Sequence, residues 1–459
     1  MSVQNVLVLL TDQQSHDAMS CAGNRYLRTP KMDRLAERGV RFANAHCAAP
    51  LCTPARATMW TGLAPHQHGA VSVKGEHGQM REDVVGLGLG HHLTAAGYDC
   101  LYGGKWHAGQ GGERCGIDAE RRHGFAYICG MNDHELPGAC AEVLARRKPG
   151  DKPMFLVASF DDPHNICEWS HGEALPWGNL PDPPREEECP PLPANFAREP
   201  YQPIAVKRTY DQRMAADFDV SWDPADWRRY RWAYYRLVER VDARIGQVLD
   251  ALEATGLDAT TTIVFASDHG EQAGSHGLQQ KNVLYEESTR VPLVIARPDE
   301  PEPGRVVDDP VSAGLDLYPT VCDLTSTTVP DHCVGRSLVP LLDGKSLDRD
   351  GVLVEVCSMP SAAGVISGGS RLVRSRDHSY AVFHHSRPAE QFFDLSRDPG
   401  QMVNLASSAT DRPELLRHRA MLRGWLERTN DRLAGVHYAF ADVPDRHLLP
   451  GDEWIASDT

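Results

Sequence analysis

Apolar positions fall into two patterns along this 459-residue chain. Short unbroken runs at Val6–Leu10, Asp99–Tyr102, Met154–Phe160, Thr262–Ser267 and Val291–Ala296 read as strands buried on both faces, as parallel strands are. Between them the spacing lengthens to that of helices. Thr29-Pro30 opens one helix that Gly39 closes, and Leu87–Ala96 reads as another. The longest helix is predicted over Arg228–Ala254, with Tyr235, Leu237, Val238, Val241, Ile245, Val248, Leu249 and Leu252 on one stripe. Strands alternating with helices predict an α/β fold built on a doubly wound, mostly parallel sheet.

The pattern breaks twice. From about Leu175 to Pro224 the chain is rich in proline, acids and aromatics, which predicts an irregular insertion. It either walls a pocket or runs over the surface. Val352–Val356 reads as a late strand, Arg371–Phe383 and Gln391–Leu395 as a small antiparallel sheet, and Pro413–Arg432 as a helix. The expected division is a large domain over residues 1–364 and a C-terminal α+β subdomain over residues 365–459. Gly86–Gly90 precedes a helix but follows no clear strand, so it is not read as a nucleotide loop.

Composition narrows the classes. A net charge of −16 disfavours nucleic acid or an anionic membrane as partner, and requires that any anionic ligand meet cations gathered locally. No apolar run is long enough for a transmembrane helix. The start, Met1 to Asp12, lacks the basic and small-residue features of a signal peptide, and twelve cysteines occur without CxxC pairs. The expectation is a cytoplasmic protein with reduced thiols.

The strand ends carry the chemistry. In open α/β sheets ligands bind beyond the carboxyl ends of strands. Asp12 ends the first run; Lys105, Trp106 and His107 follow the second; Asp161, Asp162 and His164 follow the third; Asp268 and His269 follow the fourth, with Lys281 shortly after. Each alone is an ordinary turn former or surface charge, but four strand ends repeat the theme. Asp12 and Asp268 are hard oxygen ligands for a divalent cation, Ca²⁺ or Mg²⁺, and His269 as a third ligand extends the range toward Mn²⁺. Lys105 and Lys281 suit the grip of an anion, and His107 and His164 suit proton transfer.

Cys52-Thr53-Pro54-Ala55-Arg56 adds a nucleophile. Thr53-Pro54 reads as a helix cap and first helical residue, which places Cys52 at an anion-favouring helix start with Arg56 one turn on. From these five residues alone, Cys52 reads more readily as a small buried hydrophobe, with Arg56 an ordinary helix arginine. Joined to Thr61-Gly62-Leu63-Ala64-Pro65-His66-Gln67-His68-Gly69, the stretch resembles the signature of the sulfatase family.

Gly104-Lys105-Trp106-His107, Asp162-Pro163-His164, Ser267-Asp268-His269-Gly270, Lys281, Gly335-Arg336-Ser337-Leu338 and Phe393 to Pro399 also resemble that family, over nearly the whole chain. The resemblance implies an alkaline-phosphatase-like fold and a sulfuric ester hydrolase. It further implies that a formylglycine-generating enzyme oxidises Cys52 to formylglycine. A metal would sit at Asp12, Cys52, Asp268 and His269, and the site would be completed by Arg56, Lys105, His107, His164 and Lys281. Two departures stand out. Leu63 replaces a common arginine, and Asp12-Gln13 replaces a common pair of aspartates. The second resembles choline-sulfatase-like and phosphonate-monoester-hydrolase-like branches. A phosphonate monoester or phosphodiester hydrolase is therefore the alternative, and a non-catalytic anion-binding module the more distant one. The tail His437–Trp454 either packs on its own surface or covers a neighbour's pocket in a homo-oligomer.

Overall fold

A computed structural model describes residues 4–73, 75–109, 121–207, 222–357, 369–383, 386, 389–431 and 433. The boundary at residue 365 and the tail His437–Trp454 lie outside them, as does the part of the insertion over residues 208–221.

An eight-stranded sheet organises the chain. Its order is Ala126–Cys129, Asp99–Gly104, Met154–Pro163, Asn5–Asp12, Thr261–Ser267, Leu293–Ala296, Val40–Phe42 and Val306–Val307. Asn5–Asp12 lies between Met154–Pro163 and Thr261–Ser267, parallel to both. Its side chains alternate between two cores: Val6, Val8 and Leu10 enter one, Leu7 and Leu9 the other. The long helix Pro224–Ala254 covers the second face with the full predicted stripe buried. It starts four residues before the predicted position, because Asp223 caps it and accepts from the N–H groups of Ala225 and Asp226.

One predicted strand runs the other way. Leu293–Ala296 is antiparallel to both of its neighbours. The segment between residues 268 and 292 holds only short helical turns at Ser275–Gly277 and Glu286–Thr289. It does not cross back to the sheet's opposite edge as a parallel connection must. It stays at the carboxyl end of the strands and feeds the next strand downward.

Gly351–Cys357, Gly369–Ser375, His378–Phe383 and Glu390–Asp394 form a separate four-stranded antiparallel sheet. One face joins the large core through Val354, Leu372, Phe383 and Phe393. The other packs Leu353, Val373, Tyr380 and Phe392 against Leu415, Leu422 and Leu426 of the helix Arg412–Arg428. That helix stops before the predicted Arg432. Thr429 turns its hydroxyl back onto the Trp425 carbonyl, and Asn430 takes a left-handed φ of 54°.

His66 ties the two parts together. Its Nδ1 meets Glu355 Oε1 at 2.8 Å, and Asp431 and Arg371 complete a buried ion cluster. Burial opposes protonation of His66, but Glu355 and Asp431 outweigh it and raise its pKa above 6.5. Burial likewise opposes ionisation of Glu355, yet Arg371 and His66 pull it down to about 2. The His66 contribution is complete below its unfolded pKa and disappears as pH rises through the folded one. The Glu355 contribution is complete above its ordinary 4.5 and disappears as pH falls toward about 2. The two overlap between about pH 4.5 and 6.5. His66→Gln should therefore cost about 1–2 kcal/mol in that window and progressively less above it, read from denaturant unfolding of both proteins across pH. A loss that does not vary with pH would remove the ion pair from the account.

Candidate active site

The strand ends converge beneath the helix Cys52–Thr61, whose ten residues are all buried. Leu51, extended, precedes it, so Cys52 is its first residue and Pro54 its third. This corrects the predicted cap at Thr53: proline is tolerated anywhere in a first turn, where N–H groups have no helical partner. Gly62 ends the helix at φ 70°, and a Cβ there would stand 2.7 Å from Cys333 Sγ. His68 accepts the Ala70 N–H at Nδ1, so its Nε2–H donates to Thr58 Oγ1 at 3.1 Å and pins the helix. At the opposite wall Gly104, φ 92°, lets the chain pass so close to Met154–Pro163 that a Cβ would lie 1.8 Å from the Ser159 carbonyl oxygen. Lys105 follows directly, its side chain turned inward.

Arg56 is the hub. Its Nε donates to Asp268 Oδ2 at 2.7 Å and one terminal nitrogen to Asp12 Oδ2 at 3.0 Å. The other terminal nitrogen reaches the Lys105 carbonyl and Ser159 Oγ. Lys105 Nζ sits 2.8 Å from both Asp12 Oδ2 and Asp161 Oδ1. Burial disfavours both cations, but the carboxylates outweigh it and raise each pKa above its ordinary value. Burial also opposes ionisation of Asp12, yet Lys105 and its neighbours hold it well below the usual carboxylate range. Asp268 goes the other way, pushed up to about 6 by burial and by Asp12.

With the Oδ2 atoms taken by Arg56 and Lys105, Asp12 Oδ1 faces Cys52 Sγ at 3.7 Å and His269 Nε2 at 3.8 Å. Asp268 Oδ1 lies 3.7 Å from the same nitrogen. His269 Nδ1 donates to the Gly270 carbonyl at 3.0 Å, which turns Nε2 inward, 3.1 Å from Cys52 Sγ. One ligand atom from each of Asp12, Cys52, Asp268 and His269 lies within 4.8 Å of the others. Two carboxylate oxygens and an oriented imidazole facing one point fit a divalent cation. Burial and Asp12 oppose a thiolate at Cys52, but Lys281, His269 and Lys105 prevail and lower its pKa well below 9.0.

Of the predicted residues, Asp12, Cys52, Arg56, Lys105, Asp268 and His269 form this buried cluster. Lys281 and His164 border it. His164 lies beside the Cys52 sulfur, its pKa lowered by burial, Lys105 and Lys281. His107 is half-buried at φ 43°, and among the described residues no hydrogen bond joins it to the cluster. Three further carboxylates support the site. Asp161 pairs with Lys105, Asp133 accepts the N–H groups of Asp161 and Asp162 at 2.9 Å each, and Glu271 receives Gln13 Nε2 at 2.6 Å. Asp161 was visible as a strand-end acid; nothing in the local pattern marked Asp133 or Glu271.

A doubly wound sheet that gathers acids, lysines and a cysteine at one rim offers groups suited to binding an anionic ester. The sulfatase family profile matches residues 4–327, and the C-terminal profile of N-sulphoglucosamine sulphohydrolase matches residues 274–423. The chain belongs to the sulfatase family. It is 29% identical to a Δ4,5-hexuronate-2-O-sulfatase of Bacteroides thetaiotaomicron, over 97% of this chain and 93% of that protein. A solved 2-O GAG sulfatase superposes with a TM-score of 0.79 at 28% identity, covering 95% of this chain and 94% of the other. The phosphonate monoester hydrolase of Agrobacterium radiobacter shares the fold, with a TM-score of 0.76 at 22% identity and coverage of 93% and 96%.

Proposed function

We propose that this sulfatase removes sulfate from a sulfated saccharide, with Cys52 oxidised to formylglycine by a formylglycine-generating enzyme and a divalent ion held by Asp12, Asp268 and His269. The observation that carries this reading is the contact of Cys52 Sγ with His269 Nε2 at 3.1 Å, inside the carboxylate pair and beside two lysines. Calcium suits the oxygen donors best; Mg²⁺ and Mn²⁺ are the alternatives. When bound, the ion and the hydrated aldehyde supply positive charge to the sulfate and a hydroxyl nucleophile at residue 52. Saccharide substrates follow from the relatives, whose names include a hexuronate-2-O-sulfatase.

The chain's own groups do the rest. Arg56 holds the two aspartates in register and Lys105 holds Asp12 against Asp161. Lys105 and Lys281 present positive charge to the sulfate oxygens as negative charge builds on them. His164, beside residue 52, donates a proton to the departing alcohol; the nearby ammonium groups make its protonated form a stronger acid. We assign to His107 the proton whose removal releases sulfate from residue 52.

A screen of sulfated saccharides, choline sulfate and aryl sulfates, read as released inorganic sulfate, tests the function. An aryl phosphonate is included because Asp12-Gln13 resembles the phosphonate branch. The expected result is a higher kcat/KM for a sulfate ester; a higher value for the phosphonate makes the phosphonate reading correct. His164→Gln should lower kcat by about 10²–10³ for alkyl sulfates and far less for 4-nitrophenyl sulfate, whose leaving group needs no proton. An equal loss on both would assign His164 another role.

A further inference from the structure

The geometry points to Glu271 as a positioning residue that acts through Gln13 on Lys281, an inference that rests on the sulfatase reading above. Gln13 follows Asp12 at φ 71°, and its backbone N–H donates to Asp268 Oδ1 at 3.1 Å. Its side chain turns out of the ion-binding cluster. There Nε2 donates to Glu271 Oε2 at 2.6 Å, and Oε1 accepts from Lys281 Nζ. Only this orientation works. Reversing the amide would set its N–H groups against an ammonium and its oxygen against a carboxylate.

Glu271 cannot swing to follow. It is buried, and its Oε1 already accepts from Tyr230 Oη at 3.0 Å and from the N–H groups of Ala273 at 2.9 Å and Gln280 at 2.7 Å. The last two clamp the base of the 273–280 loop, in which Ala273, His276 and Gln280 all have left-handed φ. Lys281 is the next residue. One carboxylate thus fixes both the backbone that carries Lys281 and, through Gln13, the position of its ammonium.

This gives the glutamine a reason. An aspartate at position 13 would bring a third carboxylate to Asp12 and Asp268, would cancel charge on Lys281, and would have no hydrogen to donate to Glu271. A neutral amide orients the ammonium and leaves its charge for the substrate sulfate. Gln13 therefore serves the lysine and not the ion.

A double-mutant cycle on the matured, metal-loaded enzyme tests the relay. Glu271→Gln and Gln13→Ala should each weaken inorganic sulfate affinity and raise KM by about tenfold, the size of one charge-assisted hydrogen bond. Lys281→Ala should lose at least as much, and Glu271→Gln added to Lys281→Ala should cost nothing further. Bound metal per chain should stay equal to the parent's in Gln13→Ala. Additive losses, or metal lost with Gln13, overturn the relay. If the parent hydrolyses no sulfate ester, the sulfatase reading fails. Sulfate affinity in the same cycle then still decides the relay, and a parent that binds no sulfate overturns it too.

Discussion

Cys52→Ala should abolish sulfate ester hydrolysis and leave the unfolding free energy within about 1 kcal/mol of the parent. The two halves have separate reasons. Activity depends on a hydroxyl at residue 52, and alanine has none. An unmodified thiolate is no substitute, because a sulfur–sulfur adduct with sulfate has no second hydroxyl on the same carbon to expel it. Against the parent with unmodified Cys52, stability is spared because the side chain is small and stands in an electrostatic conflict: Asp12 and Cys52 both raise the Asp268 pKa, so removing the sulfur relieves one of the two. Against that, Lys281 and His269 lose a partner that favours their charged forms. The two effects oppose each other. Mass spectrometry of the tryptic peptide carrying residue 52 completes the test, since active enzyme should show the aldehyde in place of the thiol. Active enzyme containing only cysteine would end the formylglycine mechanism.

How the site was legible follows from what each residue needs. Asp12 could be read from the sequence because a carboxylate that ends a run as apolar as Val6–Leu10 must lie at a sheet rim, and Asp268 shows the same after Thr262–Ser267. Those positions depend on local pattern, and the structure puts them on adjacent parallel strands. The direction of Leu293–Ala296 depends instead on what its connection does. A buried run looks alike in either direction. Gln13 shows the limit most clearly. Its identity marked a departure, but its orientation is set by Glu271, 258 residues away. Asp133 reaches the site only through backbone N–H groups at positions 161 and 162, so no side-chain motif announces it. The subdomain's antiparallel sheet was readable over Arg371–Phe383 and Gln391–Leu395. That Val352–Val356 pairs within that sheet was not, because its apolar residues serve two cores at once: Val354 in the large one and Leu353 in the small one.

Arg56→Met should destabilise the protein by about 3–5 kcal/mol, the usual loss when one partner of a buried ion cluster is removed. The methionine fills similar space, so packing is not the main cause. Arg56 contacts Asp268, Asp12, the Lys105 carbonyl and Ser159 with no solvent access. Without it Asp268, already pushed up to about 6, loses a lowering neighbour, and Lys105 bridges Asp12 and Asp161 with no guanidinium beside it. Arg56→Lys separates charge from shape. A lysine keeps the charge, but one ammonium cannot span two carboxylates and a carbonyl as the planar fork does, so a loss of at least about 1 kcal/mol should remain. Calcium supplies the third arm. The uncompensated carboxylates of Arg56→Met should draw the cation more strongly, so added Ca²⁺ should raise its melting temperature more than the parent's. Urea unfolding of the three proteins measures the stability losses, and thermal unfolding with and without Ca²⁺ measures the shifts in melting temperature. If methionine costs no more than lysine, the fork's geometry is not what holds the cluster. If Ca²⁺ stabilises all three equally, the cation does not share its carboxylates with Arg56.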